Sequence, residues 1–197
     1  MTTDRAPRPR PRRESLAERR DRRAAIDDPA VVLEAAARFL EARSRSVTEV
    51  RRRLGQAGYR AELVEGAILR LMELGMLDDE EFARAWVQSR DRARPRGERA
   101  MRDELRLKGI DRTTMDLVLG ERREASSAAM GDGDGDLSAD RAAAERLLAK
   151  NERSLARVTD PRRRRQKAYA LLARNGFDPE TCAMIAARLT AVPTSDD

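Results

Sequence analysis

The side chains available for chemistry narrow the field before any element is placed. The 197-residue chain has no histidine and a single cysteine, Cys182. Without imidazole there can be no serine or cysteine triad built on histidine, no HExxH zinc site and no histidine general base. No P-loop signature and no GxGxxG occurs, so a phosphate-cradling glycine loop is not encoded. The stretch GDGDGD sets Asp132, Asp134 and Asp136 at the first three ligand positions of a calcium loop, but Leu137 stands where the turn glycine belongs and Ala143 where the last-position glutamate belongs. It reads as a linker, and neither a metal nor a cofactor is expected. Carboxylates stand mostly at helix starts or within four residues of an arginine, the pattern of solvated helices, so no catalytic residue and no enzymatic activity is expected. Cys182 falls in line with Ile185 and Leu189 and reads as a small buried hydrophobe, not a reactive thiol.

The chemistry the residues do support is recognition of phosphate or carboxylate. Basic residues number 41 against 35 acidic, and only Lys108, Lys150 and Lys167 are lysine. The guanidinium fork binds both anion types bidentately. A genome rich in arginine codons would give the same total, so local clustering is the better signal. Arg38 to Arg60 holds seven arginines against Glu41 and Glu49, Arg90 to Arg112 holds nine basic residues against five acidic, and Arg162 to Lys167 holds five basic residues and no acid. The candidate contact residues are Arg43, Arg45, Arg51 and Arg52 in the first cluster, Arg94, Arg96, Arg99, Arg102, Arg106 and Lys108 in the second, and Arg162, Arg163, Arg164 and Lys167 in the third. Such surfaces suit nucleic-acid phosphates or an acidic protein groove, although solvated helix faces would look similar. Sequence-specific DNA reading is not expected, because no segment resembles a polar recognition helix, and with 3% aromatic residues stacking platforms are nearly absent.

The elements that must carry these clusters are helical. A Leu, three residues, a Gly and a large apolar residue recur as LGQAGY (Leu54 to Tyr59), LRLKGI (Leu105 to Ile110) and LARNGF (Leu172 to Phe177). The spacing predicts a helix ended by a left-handed glycine, with the following apolar residue folded back onto the leucine. Each copy closes the second helix of a three-helix unit. Asp28-Pro29, Asp160-Pro161 and Asp178-Pro179 read as helix starts, and Ser46 with Glu49 and Asp78 with Glu81 have capping-box spacing. Apolar periodicity predicts core faces at Val32, Ala36, Phe39 and Leu40, at Leu63, Ala67, Ile68, Leu71 and Met72, and at Phe82, Ala85, Trp86 and Ser89. The expected organisation is all-α: a disordered basic arm over 1–27, three-helix modules over 28–76, 77–121 and 139–191, a flexible Gly/Asp linker over 122–138 and a disordered tail over 192–197. Stacked modules of this kind form an elongated curved array. No apolar run approaches the roughly 20 residues that cross a bilayer, and the N-terminus lacks the apolar stretch of a secretory signal, so a soluble, cytoplasmic monomer without membrane contact is expected.

Four segments together resemble the RecX family, which acts on the RecA recombinase. They are RSRSVTEVRRRL with Arg43, Ser46, Glu49 and Leu54; LDDEEFARAWV with Leu77, Asp78, Asp79, Phe82 and Ala83; GERAMRDELRLKGI with Gly97, Glu104, Leu105, Lys108, Gly109 and Ile110; and RQKAYALLARNGFDPE in the third unit. The resemblance spans roughly residues 31 to 190. It implies an array of three-helix modules that lies along the groove of a RecA-DNA filament, limits recombinase, ATPase and coprotease activity, and binds single- and double-stranded DNA weakly. It carries over no catalytic residue. A stand-alone, sequence-nonspecific nucleic-acid-binding protein acting through the arginine clusters is the competing expectation.

Overall fold

The computed structural model describes residues 14–130 and 135–189, and among these there are eleven helices and no strand. Two units divide them. The first contains α1 (Leu16–Ala24), α2 (Pro29–Glu41), α3 (Val47–Ala57) and α4 (Ala61–Glu73). The second contains α5 (Asp79–Ala93), α6 (Glu98–Leu107), α7 (Arg112–Met130), α8 (Gly135–Lys150), α9 (Glu152–Ala156), α10 (Pro161–Arg174) and α11 (Pro179–Arg188), together with the short stretch Arg45–Thr48.

The helix starts form where the sequence places them. Asp28, Asp160 and Asp178 each accept a hydrogen bond from a first-turn amide, of Ala30, Arg162 and Thr181 respectively, and proline occupies the first turn in all three. Asp78 accepts from the amides of Glu80 and Glu81. The helix ends are equally legible. Gly58, Gly109 and Gly176 have φ of 101°, 80° and 82°, and the amides of Tyr59, Ile110 and Phe177 reach back to the carbonyls of Leu54, Leu105 and Leu172. A fourth copy, LMELGM, ends α4 in the same way: Gly75 has φ 65° and the Met76 amide reaches the Leu71 carbonyl at 2.9 Å. The motif therefore closes one third helix as well as the second helices.

Three expectations are corrected. Within the supposed arm over 1–27, Leu16–Ala24 is helical, started by a full capping box of Ser15 and Glu18. It buries no residue, which is why no apolar period announced it; Arg23 anchors it by donating to the Ala57 carbonyl at 3.2 Å and lying over the Tyr59 ring. Residues 1–13 and the tail 192–197 lie outside the described residues. Across the supposed linker over 122–138, α7 continues to Met130 and α8 begins at Gly135, so only 131–134, with Asp132 and Asp134, lie outside the described residues. Two core faces are also rotated from the expected ones. In α4 the buried residues are Val64, Ala67, Ile68 and Leu71 while Met72 is 48% exposed, and in α5 they are Phe82, Ala83 and Val87 while Ala85 and Ser89 face solvent.

Two cores fill the second unit. Phe82, Ala83, Val87, Met101, Leu105 and Ile110 form one with residues of α7, and Trp86 packs on it in a stack with Phe82. Ala143, Leu147, Leu148, Ala168, Leu172, Phe177, Cys182 and Ile185 belong to the other. Cys182 is fully buried, as expected, and desolvation pushes its thiol up to about 11.

Polar contacts join these two cores. Arg122 of α7, with only 7% of its side chain exposed, donates to Asp91 of α5 at 3.0 and 3.1 Å and to Asp140 of α8 at 2.7 Å. Asp140 also accepts the Glu98 amide at 2.9 Å, at the start of α6. Burial pushes the Asp140 carboxyl above its usual range, against the opposing pull of Arg122. Lys150 reaches the carbonyls of Arg92 and Ala93 at the end of α5. Gly97 donates its amide to the Asn175 carbonyl at 3.0 Å, and a methyl group there would overlap the backbone of Gly176. Glycine at 97 permits this backbone approach.

Candidate binding surfaces

The structure sorts the sequence-derived cations into those held by protein partners and those left open. In the first unit Arg43 donates to the buried Glu49 at 3.2 Å and to the Ser44 carbonyl. Arg51 grips Glu65 with two bonds of 2.6 and 2.8 Å, and this fork, more than the charge alone, holds the Glu65 carboxyl below its usual range. Arg52 is exposed and has no side-chain partner among the described residues. Arg45, assigned to the second unit, is half-buried.

The second cluster surrounds α6. Arg102 bridges Glu98 at 2.9 Å and Asp116 at 2.5 Å, which holds the Asp116 carboxyl low. Arg96 donates to Asn175 at 2.8 Å and lies 3.4 Å from Glu104. Lys108 lies over the Trp86 ring, which also carries Arg90, while the indole N–H and Arg90 both donate to Glu104. Arg106 pairs with Asp103 in an exposed contact of the kind that contributes little and yields readily to another anion. Arg94 and Arg99 are exposed without a side-chain partner among the described residues.

In the third cluster Arg164 donates to the Val158 carbonyl in the loop before α10, and Lys167 donates to Ser154 of α9. Arg163 is 83% exposed and only 3.7 Å from Asp160. Arg162 and Arg165 are exposed with no side-chain partner among the described residues. Arg165 is absent from the candidate set although it stands inside the run that defined the cluster.

The fourteen candidates are therefore not equivalent. Arg43, Arg51, Arg96, Arg102 and Arg164 hold the fold, whereas Arg52, Arg94, Arg99 and Arg162 present free guanidinium groups. Sequence could not separate them, because several of the partners lie far along the chain or on the backbone: Glu65 and Asp116 are each fourteen residues from their arginines, Arg51 and Arg102, and Arg164 is held by a carbonyl. Among the described residues no group of histidine, cysteine and carboxylate side chains could hold a metal, and no helix is long and apolar enough to cross a membrane. Apolar side chains that sequence reasoning missed are also exposed, with Leu69, Met72, Leu74 and Met76 forming a run at the end of α4.

Comparison with known proteins gives a consistent result. A family model described as "RecX, first three-helix domain" matches residues 33–71, and one described as "RecX, second three-helix domain" matches 78–119. The "Regulatory protein RecX" of Mycobacterium tuberculosis is 32% identical over 158 residues, covering 78% of this chain and 83% of the relative. That of Mycobacterium avium is 31% identical over 155 residues, with 78% and 82% covered. Among solved structures, the crystal structure of RecX from Lactobacillus salivarius aligns with a TM-score of 0.62 at 19% identity over 84% of this chain and 99% of that one, and a second crystal structure of regulatory protein RecX aligns with a TM-score of 0.66 at 23% identity over 81% and 73%. These two likenesses establish the shared fold.

Proposed function

The chain belongs to the RecX family of regulatory proteins, and on that premise we propose that it binds RecA-DNA filaments and restrains RecA recombinase, ATPase and coprotease activity without catalysing a reaction of its own. The observation that carries the proposal is the set of free guanidinium groups, Arg52 on α3, Arg94 at the end of α5, Arg99 on α6 and Arg162 on α10. They project from helical segments whose internal ion pairs are already satisfied, so they can meet an external anion without uncovering a buried carboxylate. The acidic groove of a protein filament and the phosphates of its DNA are both suitable partners. Binding is expected in the cytoplasm, by a monomer.

The free groups also define the test. Reversing Arg51 or Arg102 would set like charges against Glu65, or against Glu98 and Asp116, and confuse binding with folding. Arg52→Glu, Arg99→Glu and Arg162→Glu touch no protein partner. Combined, they are expected to weaken binding to RecA filaments at least tenfold, measured by co-sedimentation, with the helical circular dichroism unchanged. Unaltered binding by the triple variant would reject these groups as the contact.

The free arginines fit phosphates equally well without RecA, which is the second reading. Salt dependence does not separate the two, since both are electrostatic. A requirement for RecA does.

A further inference from the structure

The aromatic residues, few as they are, are nearly all engaged in packing. Phe82 and Phe177 are buried, Trp86 stacks on Phe82 beneath two cations, Tyr59 lies under Arg23, and Phe39 lies under Arg53. Tyr169 differs. It stands on α10 at the rim of a cleft, 38% exposed, with no ring contact and no hydrogen bond to its hydroxyl among the described residues.

Its surroundings are those of a nucleic-acid contact. Arg162, Arg165 and Tyr169, all exposed, follow one another at three- and four-residue spacing along α10, on the stripe that borders the buried Ala168 and Leu172. The cleft beside Tyr169, of about 530 Å³, is lined also by Arg99, Ala173, Phe177 and Glu180. Two carboxylates of this cleft are paired with arginine, Glu98 with Arg102 and Arg123 and Asp140 with Arg122, and Asp178 accepts a first-turn amide of α11. Glu180 has no such partner among the described residues, so the phosphates belong on the Arg162 and Arg165 side.

The geometry points to Tyr169 as a stacking platform for one base of single-stranded DNA, with Arg165, Arg162 and Arg99 neutralising the flanking phosphates. Duplex DNA keeps its bases paired and stacked, so this platform favours an open strand. The choice of DNA rests on the proposed filament function; the contact itself requires no RecA.

The test is fluorescence anisotropy of a labelled oligo(dT) with the full chain and no RecA, repeated with the same strand made abasic and with a duplex of equal length. Tyr169→Ala is expected to lower affinity for the normal strand roughly five- to a hundredfold while leaving the abasic strand and the duplex within about twofold. Tyr169→Phe should retain binding, because the ring stacks and the hydroxyl does not. Arg165→Ala should weaken all three ligands alike. Equal losses by Tyr169→Ala on the normal and abasic strands, or no loss on either, would overturn the inference. So would wild-type affinity too weak to detect at low salt, and filament binding by the Arg52, Arg99 and Arg162 variants would stand or fall separately in its own assay.

Discussion

Arg122 shows how one side chain can couple distant segments. Its guanidinium is almost fully removed from water and divides its donors between Asp91 and Asp140, thirty-one residues before it and eighteen after it. Burying charges is tolerated because each has a partner; removing one leaves the others desolvated and alone. Arg122→Ala is therefore expected to destabilise the protein by about 3 to 5 kcal/mol, measured by urea unfolding, with Arg122→Lys only partly restoring stability because an ammonium cannot reproduce the fork. A loss below about 1 kcal/mol would mean that water replaces the missing donors. In the sequence Arg122 falls at the start of the segment that reads as a flexible linker. The apolar pattern that identifies a core says nothing about a buried ion pair, so no signal marked it. Cys182 was the easier case, since it stood in line with Ile185 in an amphipathic period.

At the scale of elements, helix ends were legible and helix faces less so. Capping aspartates, first-turn prolines and left-handed glycines are local signals that act within five residues, and Gly58, Gly109 and Gly176 do what the spacing predicts. The face that a helix buries depends on its neighbours, which is why α5 is turned toward Ala83 and Val87 and away from Ala85 and Ser89. The helices are then tied together by exposed pairs: Arg51 of α3 with Glu65 of α4, Arg102 of α6 with Asp116 of α7, and Arg84 of α5 with Glu121 of α7. In each pair the hydrogen bond from arginine holds the carboxyl below its usual range. A carboxyl with a depressed folded pKa contributes stability above its unfolded pKa and loses it as pH falls through the folded one. The thermal midpoint should therefore hold steady as pH falls from 7 toward about 5 and decline below about 4, as read by circular dichroism. Asp140, whose carboxyl is raised by burial, opposes this at higher pH, so the pairings are read from the decline below about 4, and a midpoint that does not fall there would contradict them. At 1 M salt the decline should be shallower, because exposed pairs are screened.

At the scale of the molecule, the chain combines arginines committed to its own carboxylates with a smaller number that are open to a partner. Composition gave only the sum of the two. The family resemblance was legible because its residues, such as Asp78, Phe82, Gly97 and Gly109, are caps, core positions and close backbone approaches fixed by the fold. The proposed binding residues carry no comparable constraint, and Arg52 or Arg162 becomes distinguishable from Arg51 or Arg164 only when its surroundings are known. Action on RecA is the central claim, and the rate of ATP hydrolysis by RecA on single-stranded DNA, titrated with this protein from far below stoichiometry upward, tests it most directly. Inhibition should be complete while the protein is still too scarce to cover the DNA, and inhibition that begins only once the DNA is saturated, or none at all, would contradict it.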